Sequence, residues 1–230
     1  LGFTLQYEMS YTNILNMLDM SGITIRASER GEDEPIIMAG GPCAYNPEPL
    51  YDIVDFFEIG EGEEMMDDVL EVYARHKANG KVNKKEFLRE ISHIGGIYVP
   101  SLYDVSYNED GTIREFTPKY EDVPAKVKKR IVNNFDKVSF PDEMIVPYTD
   151  IVHDRVVLET ARGCTNGCRF CQAGMIYRPV REKTTNTLIE QARKALKATG
   201  YDEVSLASLS ICDYSNIQNL ISSLVLEHEA

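Results

Sequence analysis

Apolar positions along this chain alternate between two rhythms. Short segments rich in apolar residues, Gly2 to Tyr7, Pro35 to Ala39 and Asp55 to Ile59, read as buried strands. Between them apolar side chains recur at helical spacing. Ile14, Met17 and Leu18 form one stripe, with Ser10 or Thr12 as its cap and Gly22 as its end. Met66, Val69, Leu70 and Tyr73 form another. Glu29 to Glu34 is a polar loop, and Asn46-Pro47-Glu48-Pro49 opens a short helix with proline in its first turn. Strands alternating with helices predict a parallel sheet.

The rhythm changes over residues 79–155. Lys84 to Ile94 suits a helix with Phe87, Ile91 and Ile94 on one stripe, stopped by Gly95-Gly96. Ile97 to Pro100 and Tyr103 to Tyr107 read as short strands, and Asn108-Glu109-Asp110-Gly111 as a hairpin turn. Pro118, Pro124, Pro141 and Pro147 then predict an extended connector. Alternation resumes at Val156 to Thr160, a strand. A helix follows with the capping box Thr187-Leu188-Ile189-Glu190 and ends at Gly200. Glu203 to Leu209 is the next strand, and Ser215 caps a helix carrying Ile217, Leu220, Ile221 and Leu224. The expected organisation is an α/β domain over 1–78, a connector over 79–155, and two further β/α units over 156–230.

Composition changes the picture mainly through charge. The 230 residues carry a formal net charge of −13. Residues 1–78 hold 16 acidic and 4 basic side chains, and the remainder 21 and 20. Such a chain repels phosphate, so nucleic acid is not indicated as a partner. No run of 18 apolar residues suggests a membrane helix. The chain opens on Leu1-Gly2-Phe3 and is read as an internal stretch of a longer protein. Five cysteines, three of them in one loop, predict a reducing, cytoplasmic compartment.

That loop carries the candidate chemistry. Arg162-Gly163-Cys164-Thr165-Asn166-Gly167-Cys168-Arg169-Phe170-Cys171 spaces its cysteines C-x3-C-x2-C. Three thiolates can hold three irons of a cubane and leave the fourth open, whereas ordinary four-iron carriers use four cysteines. Structural zinc is the alternative. It takes four ligands, usually in two close pairs, and the nearest fourth candidates, His153 and Cys212, sit in no such pair. Arg155, Arg162, Arg169, Arg178, Arg181 and Lys183 surround the loop, suited to an anionic substrate or to salt bridges with Asp154, Glu159 and Glu182. Cys43 and Cys212 read as buried small hydrophobes.

The cysteine loop, with the aromatic residue before its last cysteine, resembles that of the radical S-adenosylmethionine superfamily. The resemblance implies a [4Fe-4S] cluster on Cys164, Cys168 and Cys171, with S-adenosylmethionine on the open iron. It implies reductive cleavage to a 5′-deoxyadenosyl radical that takes hydrogen from a substrate the sequence does not identify. An electron donor such as flavodoxin or ferredoxin would be a partner. Phe170 would lie against the adenine, and Ser208, Ser210 and Asp213 would stand near the methionine end, although the usual G-G-E pattern is absent. The two β/α units would open a partial TIM-type barrel, and so few units would bind a cluster without turning over.

A second resemblance covers about residues 1–75. Ala39-Gly40-Gly41-Pro42, Asn46 to Pro49 and Ile59-Gly60-Glu61-Gly62-Glu63 are similar to the cobalamin-binding-like domain, a flavodoxin-like or Rossmann sheet, that precedes many radical domains. That domain's histidine motif, D-x-H-x-x-G, is missing. His76, His93, His153 and His228 lack its context, so cobalamin is a possible cofactor without an expected histidine ligand. The string from Arg162 to Arg181, with Val152 to Arg155, resembles a branch near methylthiotransferases and elongator-type enzymes. A cobalamin-dependent radical methyltransferase is the alternative reaction, and a non-catalytic zinc or iron–sulfur module the alternative role.

Overall fold

The computed structural model describes residues 1–78, 80–149 and 151–228, and all their side chains except those of Glu227 and His228. Asn79, where the connector is expected to begin, and the His228 side chain lie outside what is described. The chain forms two compact units, Leu1–Val132 and Asn133–Ala230. Both mix helices with parallel strands, as the alternating rhythm predicts.

The first unit is built on strands β1 (Gly2–Thr4), β2 (Met38–Gly40), β3 (Phe56–Glu58) and β4 (Ile97–Tyr98), in that spatial order. The first three are parallel, with Phe3 beside Ala39 and Ala39 beside Phe57. β4 runs antiparallel to β3. Helices α1 (Tyr11–Met20), α2 (Gly62–Ala78) and α3 (Lys84–Ile91) pack their apolar sides onto a core that includes Leu5, Leu18, Phe57, Met65, Phe87 and Ile91. A hairpin of β5 (Tyr103–Tyr107) and β6 (Ile113–Pro118) follows, turning through Gly111 at φ 81°.

Several sequence expectations shift by a residue or two. In α2 the buried positions are Met65, Val69 and Val72, while Leu70 and Tyr73 are exposed. The pattern had two nearly equal apolar stripes; the one with Met65, Val69 and Val72 enters the core, while Tyr73 of the other meets Phe87 of α3 edge-on at 5.8 Å. In α1 Met17 is exposed, and the Ser10 hydroxyl donates to the Tyr7 carbonyl instead of capping the helix. Asn83, not singled out from sequence, caps α3 by accepting from the amides of Lys85 and Glu86.

The stretch read as a connector divides between the units. Tyr98, Val99, Leu102, Tyr103 and Val123 are buried in the first unit's core. Residues 129–132 also fold back within it: Arg130 N–H donates to Ile59 O at 2.9 Å and Glu61 N–H to Arg130 O at 3.1 Å.

In the second unit, β7 (Val156–Glu159) opens the sheet. β8 (Ala161–Arg162) pairs antiparallel with β9 (Arg181–Glu182), and helix α4 (Ala173–Ile176) lies between them in the chain. Helix α5 (Thr185–Thr199) then leads to β10 (Val204–Ala207), which pairs parallel with β7, and to α6 (Ile217–His228). Val156, Leu158, Leu188, Ala195 and Leu220 form its core. The cap of α5 is Thr184, whose hydroxyl accepts from Thr187 N–H at 3.3 Å. The expected box at Thr187 therefore starts one turn too late; Thr184 already takes the Thr187 amide. Cys43 is buried as expected, but Cys212 is exposed, because it sits in the turn before α6 and not in the strand.

Candidate functional site

The cysteine loop leaves the sheet where β7 ends. Thr160 N–H donates to Ala207 O at 2.9 Å, which extends the pairing of β7 and β10 to the mouth of the loop. Arg162 grips Glu159 with two hydrogen bonds, 2.7 and 2.9 Å, and lays its guanidinium 4.8 Å from the centre of the Phe135 ring. This arginine is a structural clasp at the base of the loop. Gly163 follows at φ 85°, and a Cβ there would lie 2.7 Å from Pro179 O and 2.9 Å from Tyr177 O. The outgoing and returning chains thus approach so closely that only glycine fits.

Beyond Gly163 the loop is open to solvent. Cys164 and Cys171 are half-buried and Cys168 is exposed. A turn joins the last two cysteines, with Cys171 N–H donating to Cys168 O at 3.1 Å. Gly174 N–H, in the first turn of α4, donates to Cys171 Sγ at 3.3 Å. Arg178 Nε donates to Cys164 O at 3.4 Å. Phe170 is 92% exposed, so its ring lies free of the protein and against nothing. Among the described residues no three His, Cys, Asp or Glu side chains are gathered tightly enough to hold a metal ion. The three thiols share one short, glycine-hinged loop but do not converge in it.

Ser210 and Asp213 stand beside this loop, although they follow β10. Asn166 Nδ2 donates to Asp213 Oδ2 at 3.0 Å and approaches Ser210 Oγ at 3.5 Å. The hydroxyl of Ser210 and the amide of Asn166 hold the Asp213 carboxyl below its usual range. Ser208, at the end of β10, keeps its Oγ out of water without a hydrogen-bond partner. Asn166 was missed by sequence reasoning; no local pattern indicates a partner 47 positions away.

The donor set suits an iron–sulfur cluster. Thiolate is the ligand such clusters take, Cys168 is exposed, and an α4 amide already points at the Cys171 sulfur. The unpartnered Ser208 hydroxyl, in the same turn as Ser210, leaves a donor for a further ligand.

At the edge of the first unit's sheet the glycine turns serve the chain itself. A Cβ on Gly41 would lie 2.9 Å from Leu5 O, and one on Gly60 would lie 2.2 Å from Arg130 O. Glu58 ends β3 beside them. It is 6% exposed, its Oε1 has no partner, and burial pushes its carboxyl up to about 7. His76 is engaged by Glu90 at 2.7 Å and packs edge-on to Phe87.

Comparison with known proteins bears on both units. Residues 1–100 match the family model described as radical SAM proteins, N-terminal. An uncharacterised protein of Methanocaldococcus jannaschii, MJ0966, is 28% identical over 225 residues, 96% of this chain. The chain spans 40% of that relative's length. Two solved structures of TsrM, a radical S-adenosylmethionine methyltransferase from Kitasatospora setae, are similar at 14% identity. One, with tryptophan substrate and a S-adenosylmethionine analogue bound, has a TM-score of 0.44 over 86% of this chain and 34% of its own. The other, with cobalamin and a [4Fe-4S] cluster bound, has a TM-score of 0.47 over 99% and 41%. Among the described residues no helix is long and apolar enough to cross a membrane. The family match covers residues 1–100, and the C-x3-C-x2-C loop lies beyond it, so two separate stretches of the chain are similar to radical S-adenosylmethionine proteins.

Proposed function

We propose that the chain is part of a radical S-adenosylmethionine enzyme, with Cys164, Cys168 and Cys171 as the ligands of its [4Fe-4S] cluster. The observation that carries this reading is the position of the loop. It leaves the carboxyl end of β7 and is tied by Asn166 to the turn after the neighbouring parallel strand β10. Loops at the carboxyl ends of parallel strands are where such sheets hold ligands.

When bound, the cluster would supply the electron that cleaves the sulfonium of S-adenosylmethionine. The chain's own residues bind and orient. The ionised Asp213 carboxylate suits the ammonium end of the cofactor, and the Ser208 and Ser210 hydroxyls offer further hydrogen bonds there. Phe170, exposed and next to Cys171, is available to cover a flat ring. Gly163 and Gly167 let the loop fold around its ligand, and the Arg162–Glu159 clasp keeps the loop's root fixed while it does. A cluster on three thiolates calls for a reducing compartment and a one-electron donor of the flavodoxin or ferredoxin kind.

Anaerobic reconstitution with iron and sulfide tests the reading. About four irons per chain and a visible thiolate-to-iron absorption are expected. Cys168→Ala should remove most of the iron. Iron bound equally by a chain lacking all three cysteines would overturn the assignment, as would stoichiometric zinc in the purified protein with no uptake of iron.

A further inference from the structure

A cavity of about 590 Å³ opens in the first unit, where Val54 and Asp55 lead into β3. Its volume is that of a small-molecule site. The wall satisfies its own charges and leaves ring surface open.

Four cations and four carboxylates line the cavity, so the wall offers no net charge. The charges that lie deepest are already engaged. Asp55 sits between Arg30 Nη1 and Lys84 Nζ, each at 2.7 Å. Glu48 Oε1 accepts from the Tyr98 hydroxyl at 2.7 Å, and Asp52 pairs with Arg26. Lys119 Nζ donates to Ser101 O at 2.9 Å. A charged ligand would give up water on entry and meet no buried counter-charge waiting for it.

The ring surface follows from the hairpin. Strand alternation puts Tyr103, Val105 and Tyr107 of β5 on one face, and Phe116 of β6 is the cross-strand partner of Val105. All four line the cavity. At one end this face packs into the core: Tyr103 stacks on Phe116 with centroids 4.9 Å apart and lies 5.3 Å from Tyr98. Cover thins toward the other end, from Tyr103 at 7% exposed to Phe116 at 38% and Tyr107 at 62%. Tyr51, which follows the turn Glu48–Leu50, adds another ring to the wall and is 55% exposed. Rings left open around a concave site are surface that a flat apolar ring covers.

We propose that this cavity binds an uncharged planar ring compound, seated on the rings of Tyr51, Tyr107 and Phe116. The site is independent of the cluster reading, because it lies wholly within residues 27–119.

Calorimetric titration of the full chain with four matched probes tests it: 2-naphthamide, 2-naphthoate, 2-naphthylmethylammonium and decahydro-2-naphthamide. 2-Naphthamide should bind one to one, about tenfold tighter than either charged probe and about fivefold tighter than the saturated amide. Tyr51→Ser and Tyr107→Ser replace side chains that are more than half exposed, so both variants should fold as the parent does. Each should weaken 2-naphthamide about fivefold and leave the saturated amide unchanged. Tyr120→Ser, at a tyrosine 45% exposed and outside the cavity wall, should change nothing. The proposal is overturned if 2-naphthamide shows no saturable binding, or binds no tighter than the charged probes. It is overturned equally if both wall variants bind as the parent does. A loss in Tyr120→Ser as large as in Tyr107→Ser would show general adsorption to exposed rings and would also overturn it.

Discussion

Asn166 and Asp213 lie 47 positions apart and meet at 3.0 Å, amide nitrogen to carboxylate oxygen. The first belongs to the cysteine loop and the second to the turn after β10, so one hydrogen bond fixes the two loops against each other. Because the pair is exposed, it restrains the loop locally and adds little to global stability. In Asn166→Ala the amides of residues 163–171 should exchange about fivefold faster, with the amides of α5 unaffected. Unchanged loop exchange would show that the contact does not restrain the loop.

Gly163 is the second restraint on that loop. In Gly163→Ala a methyl would enter 2.7 Å from Pro179 O, at a positive φ that alanine avoids. The expected result is a loss of about 2 kcal/mol in the second unit and poorer iron retention after reconstitution. A thermal melt alongside an iron assay checks both. Gly174→Ala serves as a control, since its Cβ would meet Cys171 Sγ only at 3.7 Å.

Gly60 and Gly62 differ in the same way. A Cβ on Gly60 would lie 2.2 Å from Arg130 O, and one on Gly62 would come no nearer than 3.8 Å to Glu58 Oε2. Gly60→Ala should therefore break the pairing with Arg130 and cost more than about 3 kcal/mol. Gly62→Ala, at the start of α2, should be neutral or stabilise by about 0.5 kcal/mol. Urea melts of the two variants should rank them in this order.

Glu58 makes stability depend on pH. Its carboxyl titrates at about 7 in the folded chain because burial disfavours the charge. Unfolded, it titrates near the ordinary value of about 4.3. Between these values the folded state holds the extra proton, so stability is greatest below the lower value, falls as pH rises through the window, and levels off above about 7. The full span is on the order of 4 kcal/mol. Glu58→Gln should flatten this profile and be the more stable form at pH 8. Parallel profiles for parent and variant in urea melts from pH 5 to 8 would rule the effect out.

His76 bears on cobalamin. It is the one histidine among residues 1–78, and its ring is held by Glu90 at 2.7 Å and by Phe87. If the chain takes up cobalamin, the cob(II)alamin electron paramagnetic spectrum should show no histidine nitrogen from this part of the chain. His76→Ala should leave that spectrum unchanged. A histidine signature lost in His76→Ala would show that the Glu90 contact opens on binding.

Much of the architecture was legible in the sequence. Short apolar runs and period-3.6 patterns are local properties, and they located β2, β3, β7, β10, α2, α3 and α5. The cysteine spacing is equally local. What slipped were choices between near-equivalent local options. Thr184 and Thr187 both precede an apolar run, and Met65 and Met66 both begin a possible stripe. Only the packed core decides which stripe is buried, and only the actual first turn decides which hydroxyl caps.

The sequence by itself determined the element types, the acidic first half and three thiols within eight positions, because each depends on neighbours along the chain. Tertiary structure decided what each polar group is left with after folding. It gave Asn166 a partner 47 positions away, left Glu58 Oε1 with none, and set Lys84 beside a carboxylate that Arg30 and Ile37 already occupy. It also turned the glycines of the sheet edge into points of backbone contact with Leu5 and Arg130. The physical reason is that hydrogen-bond satisfaction and desolvation depend on everything within a few ångströms, and chain separation carries almost no information about that neighbourhood.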